Sequence, residues 1–144
     1  MTALDAVATY VPEQRFPIED FAEPLELTAS QLKLFRRFHG LSEVRREPDR
    51  SLAELLTSAT DQLIELRGQE HRVRYVLYAR SVPIAVPYPI NPLHDLCREL
   101  GLGHAIAFTV THHACATGLL AVDVAGRLLA SDGEPGALAL VLAG

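Results

Sequence analysis

Apolar positions along this chain change their spacing several times, and each change predicts a new element. Ala3 to Val11 alternates apolar and polar residues as a strand does and runs into Pro12. Pro17 and Pro24 then mark an extended connection with room for a short helical turn over Ile18 to Ala22. Thr28 to His39 reads as a helix ended by Gly40, with Arg36 and Arg37 in its last turn, where cations complement the dipole. Ser51 followed by Glu54 forms a capping-box signature. Behind it Leu52, Leu55, Leu56, Ala59, Leu63 and Leu66 recur at helical spacing until Gly68.

Val73 to Ala79 is a short run rich in β-branched and aromatic residues, and predicts a strand. Ser81 to Pro92 follows, with prolines at 83, 87, 89 and 92 that neither a helix nor a central strand would hold. Asn91 and Pro92 suit the cap and first position of a helix ending at Leu100, with Gly101 closing it. Ala105 to Val110 predicts a strand, Thr111 to Ala114 a tight connection, Cys115 to Ala130 a helix, Ser131 to Gly136 a turn and Ala137 to Leu142 a last strand. The order β, α, α, β, α, β, α, β predicts an α/β layered fold with a largely parallel sheet and right-handed crossovers.

At 144 residues the chain is read as one domain, and 49% hydrophobic against 22% charged residues supplies a core. A net charge of −5 gives no general attraction for phosphate backbones or anionic lipid, so neither nucleic acid nor membrane is expected as a partner. Leu100 to Val122 is uncharged and long enough to span a bilayer, but glycines, threonines and histidines interrupt it, so no transmembrane helix is expected. Cys97 and Cys115 stand outside any CxxC or Cys/His framework and the start lacks the layout of a signal peptide. A cytoplasmic protein with reduced thiols is expected.

Charge is unevenly placed: residues 101–144 hold only Asp123, Arg127, Asp132 and Glu134 of the 31 charged side chains. The helix ATGLLAVDVAGRLLA is apolar nearly all round, which predicts a central, buried helix. A hundred preceding residues cannot cover all of this apolar material. The last run, Ala137 to Ala143, is followed at once by Gly144, so completion by another polypeptide is expected.

Free cysteines are most often small core residues. Cys97, within HDLCREL, fits that description. Cys115 follows a strand and a short polar bend and opens a helix, where unpaired N–H groups and the dipole favour a thiolate. This is the arrangement that presents a nucleophile at the carboxyl end of a parallel sheet. His112 and His113 lack further ligands at zinc spacing, so no metal site is expected. GLGHAI, starting at Gly101, has two glycines of a dinucleotide fingerprint but precedes a strand, and reads as a helix-to-strand turn; no cofactor is implied.

THHACATGLLAVDVAGRLLASDGEPGALALVLAG resembles the nucleophile region of the thiolase-like condensing enzymes, and among them the β-ketoacyl carrier-protein synthase III group. ATYVPEQRFPIEDF resembles that group's opening strand and Y-[LV]-P turn, and FRRFHGLSEVRR its T-G-I-x-x-R segment. The matches are collinear and cover nearly the whole chain, 1–144, as the N-terminal thiolase-like half. The resemblance implies a decarboxylating Claisen condensation or a related acyl transfer, with Cys115 taking the acyl group as a thioester and its backbone N–H contributing to an oxyanion hole. The family's histidine and asparagine lie in a second half, so a separate C-terminal-half chain is the expected partner, in a heterodimer and, with two such units, a heterotetramer. A non-catalytic scaffold subunit and a fragment of an ordinary full-length synthase are the alternatives.

Leu34 and Phe38 stand where the family often has a tryptophan and an arginine that hold the adenine of coenzyme A. An acyl carrier protein is therefore the expected acyl donor in preference to acyl-coenzyme A. Arg36, Arg37, Arg45 and Arg46 are candidates for docking it, or else form a solvated face. Tyr88, in the proline-rich loop, falls where the family lines the acyl pocket across the dimer interface; a loop aromatic packed on its own subunit is the other reading.

Overall fold

The computed structural model describes residues 3–83 and 91–144, which form two compact units. The larger comprises residues up to Thr9 together with 52–144, and the smaller is Tyr10–Ser51.

In the larger unit, α2 (Leu52–Asp61) begins directly after Ser51, and α3 (Pro92–Glu99) starts at the predicted cap, Asn91 Oδ1 accepting from the N–H groups of Leu93 and His94. Between them lies β3 (Val73–Ala79), and after them come β4 (Ile106–Val110), α4 (Thr117–Asp132) and β5 (Leu138–Ala143). The strands make one parallel sheet in the order β4-β3-β5, with Leu77 beside Phe108 on one side and Val141 on the other. The central place of β3 explains its unbroken apolar run, because both of its faces are covered. Val76, Tyr78, Leu93, Leu96, Cys97, Leu102, Leu140 and Leu142 fill one face beneath α2 and α3, while Tyr75, Leu77 and Ala79 meet Ala121 and Ala125 of α4 on the other. Each fully buried valine or leucine here stabilises by about 2 kcal/mol.

The helix α4 is buried along one stripe only. Ala121 and Ala125, one turn apart, let it approach the sheet closely, while Leu119 and Val122 are 77% and 46% exposed. The expectation of a helix buried all round holds for the sheet side alone. Ala114–Asp132 is long and apolar enough to cross a membrane by length and composition, yet here it serves as the crossover that connects two parallel strands. Gly133, at φ 66°, ends α4, its N–H donating to Leu129 O.

The smaller unit has α1 (Ala29–Phe38) between two short antiparallel strands, β1 (Arg15–Pro17) and β2 (Glu43–Arg45), with Phe16 opposite Val44. Thr28 and Gln31 form a capping box at the start of α1, and Gly40 takes φ 65° just beyond its end. Tyr10 Oη donates to both Glu47 carboxylate oxygens, at 2.8 and 3.0 Å, and Arg50 Nη1 donates to Glu47 Oε2 at 2.9 Å. Arg46 lies 5.8 Å from the ring centroids of both Phe16 and Phe21.

Two further sequence expectations are corrected. Ala3 to Val11 forms no strand, and Leu4, Val7 and Val11 are exposed: alternation alone does not make a strand without a neighbour to pair with. The helix expected from Leu52 to Leu66 stops at Asp61 and resumes as a 3-10 turn at Ile64–Leu66. Thr60 Oγ1 donates to Leu56 O and its own carbonyl accepts from Leu63 N–H, which tightens the chain out of the α-helix.

Candidate active site

The end of β4 is fixed by Arg80 N–H, which donates to Val110 O at 3.0 Å and extends the pairing one residue past β3. The chain then has to turn from the sheet onto the start of α4 within a few residues. It does so through two left-handed residues, His112 at φ 69° and Ala114 at φ 45°. Neither is glycine, and each such residue costs on the order of 1–3 kcal/mol unless its surroundings hold it.

Ala114 is held from two sides. Ser81 Oγ, just beyond β3, donates to Ala114 O at 3.0 Å, and Thr117 Oγ1, the first residue of α4, donates to the same oxygen at 2.7 Å. Thr117 is 2% exposed, so its hydroxyl satisfies a carbonyl in a buried setting. Thr111 Oγ1 is hydrogen-bonded to His112 Nδ1 at 2.7 Å, and Ala116 N–H donates to His113 O. Residues 114–116 form one 3-10 turn that runs straight into α4.

Cys115 is the middle residue of that turn and is exposed. It therefore stands at the carboxyl end of the parallel strands, before the first turn of α4, on a backbone held by Ser81 and Thr117. An accessible sulfur on a strained, fixed strand-to-helix turn can attack an electrophilic carbonyl without carrying the turn away with it. Tyr78 Oη donates to Gly144 O at 3.2 Å at this same end of the sheet.

The other candidates separate. Cys97 lies in α3 at 4% exposure, and burial pushes its thiol pKa up, as suits a core residue. His112 and His113 are exposed, and no group of three His, Cys, Asp or Glu side chains among the described residues converges as metal ligands would. Gly101, at φ 69°, together with Leu102 N–H donating to Cys97 O, makes GLGHAI a turn between α3 and β4.

Arg36, Arg37, Arg45 and Arg46 all lie in the smaller unit, whereas Cys115 lies in the larger. Arg36 is paired with Glu19 at 3.0 Å, Arg45 with Glu43 at 3.0 Å, and Arg46 is held over the two phenylalanines; only Arg37 projects without a partner among the described residues. Tyr88 lies outside the described residues. Ser81 and Thr117 were not singled out in the sequence. A threonine two residues beyond Cys115, at the start of the helix, was the available sign.

No family model matches the sequence, and no curated protein matches it. Solved structures do. ChlB3, described as an acyltransferase, superposes with a TM-score of 0.71 at 22% identity over 92% of this chain and 38% of its own. The β-ketoacyl-[acyl carrier protein] synthase III of Thermus thermophilus gives a TM-score of 0.65 at 23% identity, over 88% of this chain and 38% of its own. The HMG synthase of the curacin biosynthetic pathway, solved in complex with an apo donor acyl carrier protein, gives 0.72 at 20% identity over 98% and 34%. This chain thus spans little more than a third of the length of each protein it resembles. The parallel sheet, its helical layers and these superpositions together give the chain the fold of the thiolase-like condensing enzymes, the β-ketoacyl synthase III-like group included.

Proposed function

We propose that this chain is the nucleophile-bearing part of a β-ketoacyl synthase III-like condensing enzyme or acyltransferase, with Cys115 as its acyl acceptor. One observation carries the reading: an exposed cysteine on a strained turn, fixed by Ser81 and Thr117 between a parallel strand and the helix behind it. In the proposed step Cys115 Sγ attacks the carbonyl carbon of an acyl thioester. A new carbon–sulfur bond forms, the donor's carbon–sulfur bond breaks, and the donor leaves as a thiol with the proton that the cysteine gives up.

The donor is an acyl carrier protein in preference to coenzyme A. Leu34 and Phe38, exposed on α1, put a leucine and a phenylalanine at the two positions where the resembling family often has the tryptophan and arginine that hold the adenine of coenzyme A. The curacin synthase in complex with its donor carrier protein lends support from the same fold. The histidine and asparagine that a condensation needs come in this reading from a second polypeptide, which also covers the open flank of α4 at Leu119 and Val122.

The test is to incubate the assembled complex with acyl-carrier and acyl-pantetheine donors and to map the adduct by peptide mass. Acyl mass on the Cys115 peptide, absent in Cys115→Ala, is expected. Label on Cys97, or label that persists in Cys115→Ala, rejects the assignment. Light scattering on the chain alone tests assembly: aggregation or chaperone capture is expected, and a soluble monomer with a cooperative melt would reject the need for a covering partner.

A further inference from the structure

The helix α1 carries apolar residues on two faces. Leu32 and Phe35 are half-buried on the side turned to its own unit, where Phe35 and His39 pack at 5.9 Å between ring centroids and Arg36 pairs with Glu19. The opposite stripe holds Lys33 and Arg37, one turn apart, beside Leu34 and Phe38, also one turn apart. Leu34 is 46% exposed and Phe38 83%, and Leu41, just after the helix, is 39% exposed. A single exposed leucine is ordinary, but a leucine and a phenylalanine aligned on the outward stripe of a ten-residue helix are not.

The charge on this stripe points to its occupant. The segment Ala29–Phe38 has three basic residues and no acidic one, in a chain of net charge −5. Arg36 is neutralised by Glu19, while Lys33 and Arg37 have no partner among the described residues. Two free cations flanking two exposed apolar side chains complement a surface of opposite construction, namely an amphipathic helix with carboxylates around an apolar seam.

We propose that Lys33, Leu34, Arg37 and Phe38 form the docking face for an acidic, helical carrier protein. The proposal rests on the carrier reading above and replaces the arginine set expected from the sequence. Arg36, Arg45 and Arg46 are committed to partners inside the unit, and only Arg37 of the four serves the face. Phe38 and Leu34 enter the partner's seam and supply affinity, whereas Lys33 and Arg37 steer the encounter and fix its register. Binding therefore weakens with salt.

The experiment compares the complex with two variants, Lys33→Glu/Arg37→Glu and Phe38→Ser, using a fatty-acid-type acyl carrier protein bearing an acyl-phosphopantetheine as the probe. Each variant is expected to bind the carrier about tenfold more weakly or worse. Acylation from the carrier slows in parallel, while acylation of Cys115 by small acyl-pantetheine stays unchanged, which shows that the fold is intact. Carrier affinity undiminished in both variants overturns the proposal. So does loss of binding to anionic phospholipid vesicles with carrier binding intact, which would assign the face to a membrane surface. Weakened carrier binding in a complex whose Cys115 accepts acyl groups from neither donor upholds the docking face and rejects Cys115 as acyl acceptor, so the two readings fail separately.

Discussion

The two units of this chain are held together by different physics. In the larger, β3 is sandwiched between helical layers, and Val73, Val76 and Leu77 of β3 with Leu96 and Leu102 are wholly buried. In the smaller, the only buried hydrophobic residue is Ile18, and its order comes from polar and aromatic devices: the Tyr10–Glu47–Arg50 clasp, Arg46 between Phe16 and Phe21, and the capping box at Thr28. A segment of 42 residues has little apolar area to bury, so directional contacts carry what a core would otherwise supply. The chemistry follows the same division. The proposed nucleophile, Cys115, sits on the unit with the buried core, and the proposed docking face sits on the one with apolar surface left over.

The largest effect that would break this contrast is expected at Leu96. Leu96→Ala opens a cavity in the main core and is expected to cost about 2–5 kcal/mol in a thermal or urea melt. A melt shifted by less than a degree would mean that the core is loosely packed. The clasp is expected to respond to pH instead. Hydrogen bonding from Tyr10, and then from Arg50, holds the Glu47 carboxyl below its ordinary value of 4.5. Its stabilisation is therefore complete above that value and is lost as pH falls through the depressed one. The same Glu47 contact raises the Tyr10 hydroxyl above its ordinary value of 10.0, so that contribution is complete below 10.0 and is lost as pH rises through the raised one.

Hydrogen exchange over residues 10–51, corrected for intrinsic rates, is expected to lose protection in acid before the β3 amides do. Glu47→Gln should lower protection at neutral pH and flatten that acid response. Equal acid sensitivity of wild type and variant would remove Glu47 from the account. The smallest effect is expected at Thr28: Thr28→Ala removes the N-cap hydroxyl of α1 and should cost about 1 kcal/mol, seen as local opening of 29–38 with the β3 amides unmoved.

Much of the fold was legible where the signal is local. Asn91 and Pro92 mark the start of α3, Thr28 and Gly40 bracket α1, and the unbroken run from Val73 to Ala79 reads as a strand covered on both faces. The failures were matters of pairing. Ala3 to Val11 has the pattern of a strand, but a strand exists only with a neighbour, and the pattern does not name one. The pair β1 and β2 is only three residues on each side, too short for periodicity to show.

At the candidate site, the position of Cys115 between a strand and a helix, and of Cys97 inside a helix, was legible in the sequence. The support of Cys115 was not. Ser81 meets Ala114 across 33 residues of sequence, and an alanine at positive φ looks in the sequence like any helix former. Leu34 and Phe38 depart from a family pattern in the sequence, but their exposure depends on the packing of α1, which fixes the stripe that faces outward.

The order β4-β3-β5 also bears on how the protein is made. Both neighbours of β3 lie later in the chain and join it in parallel through helical crossovers, so the sheet contains no hairpin that could form early and locally. During synthesis β3 leaves the ribosome with both edges open, gains β4 only after Val110 and β5 only after Ala143. Until then its apolar faces and strand edges stay uncovered, and such surface promotes aggregation of a nascent chain. Expression is accordingly expected to improve with slower translation or with holdase chaperones, and to depend little on changes confined to residues 10–51.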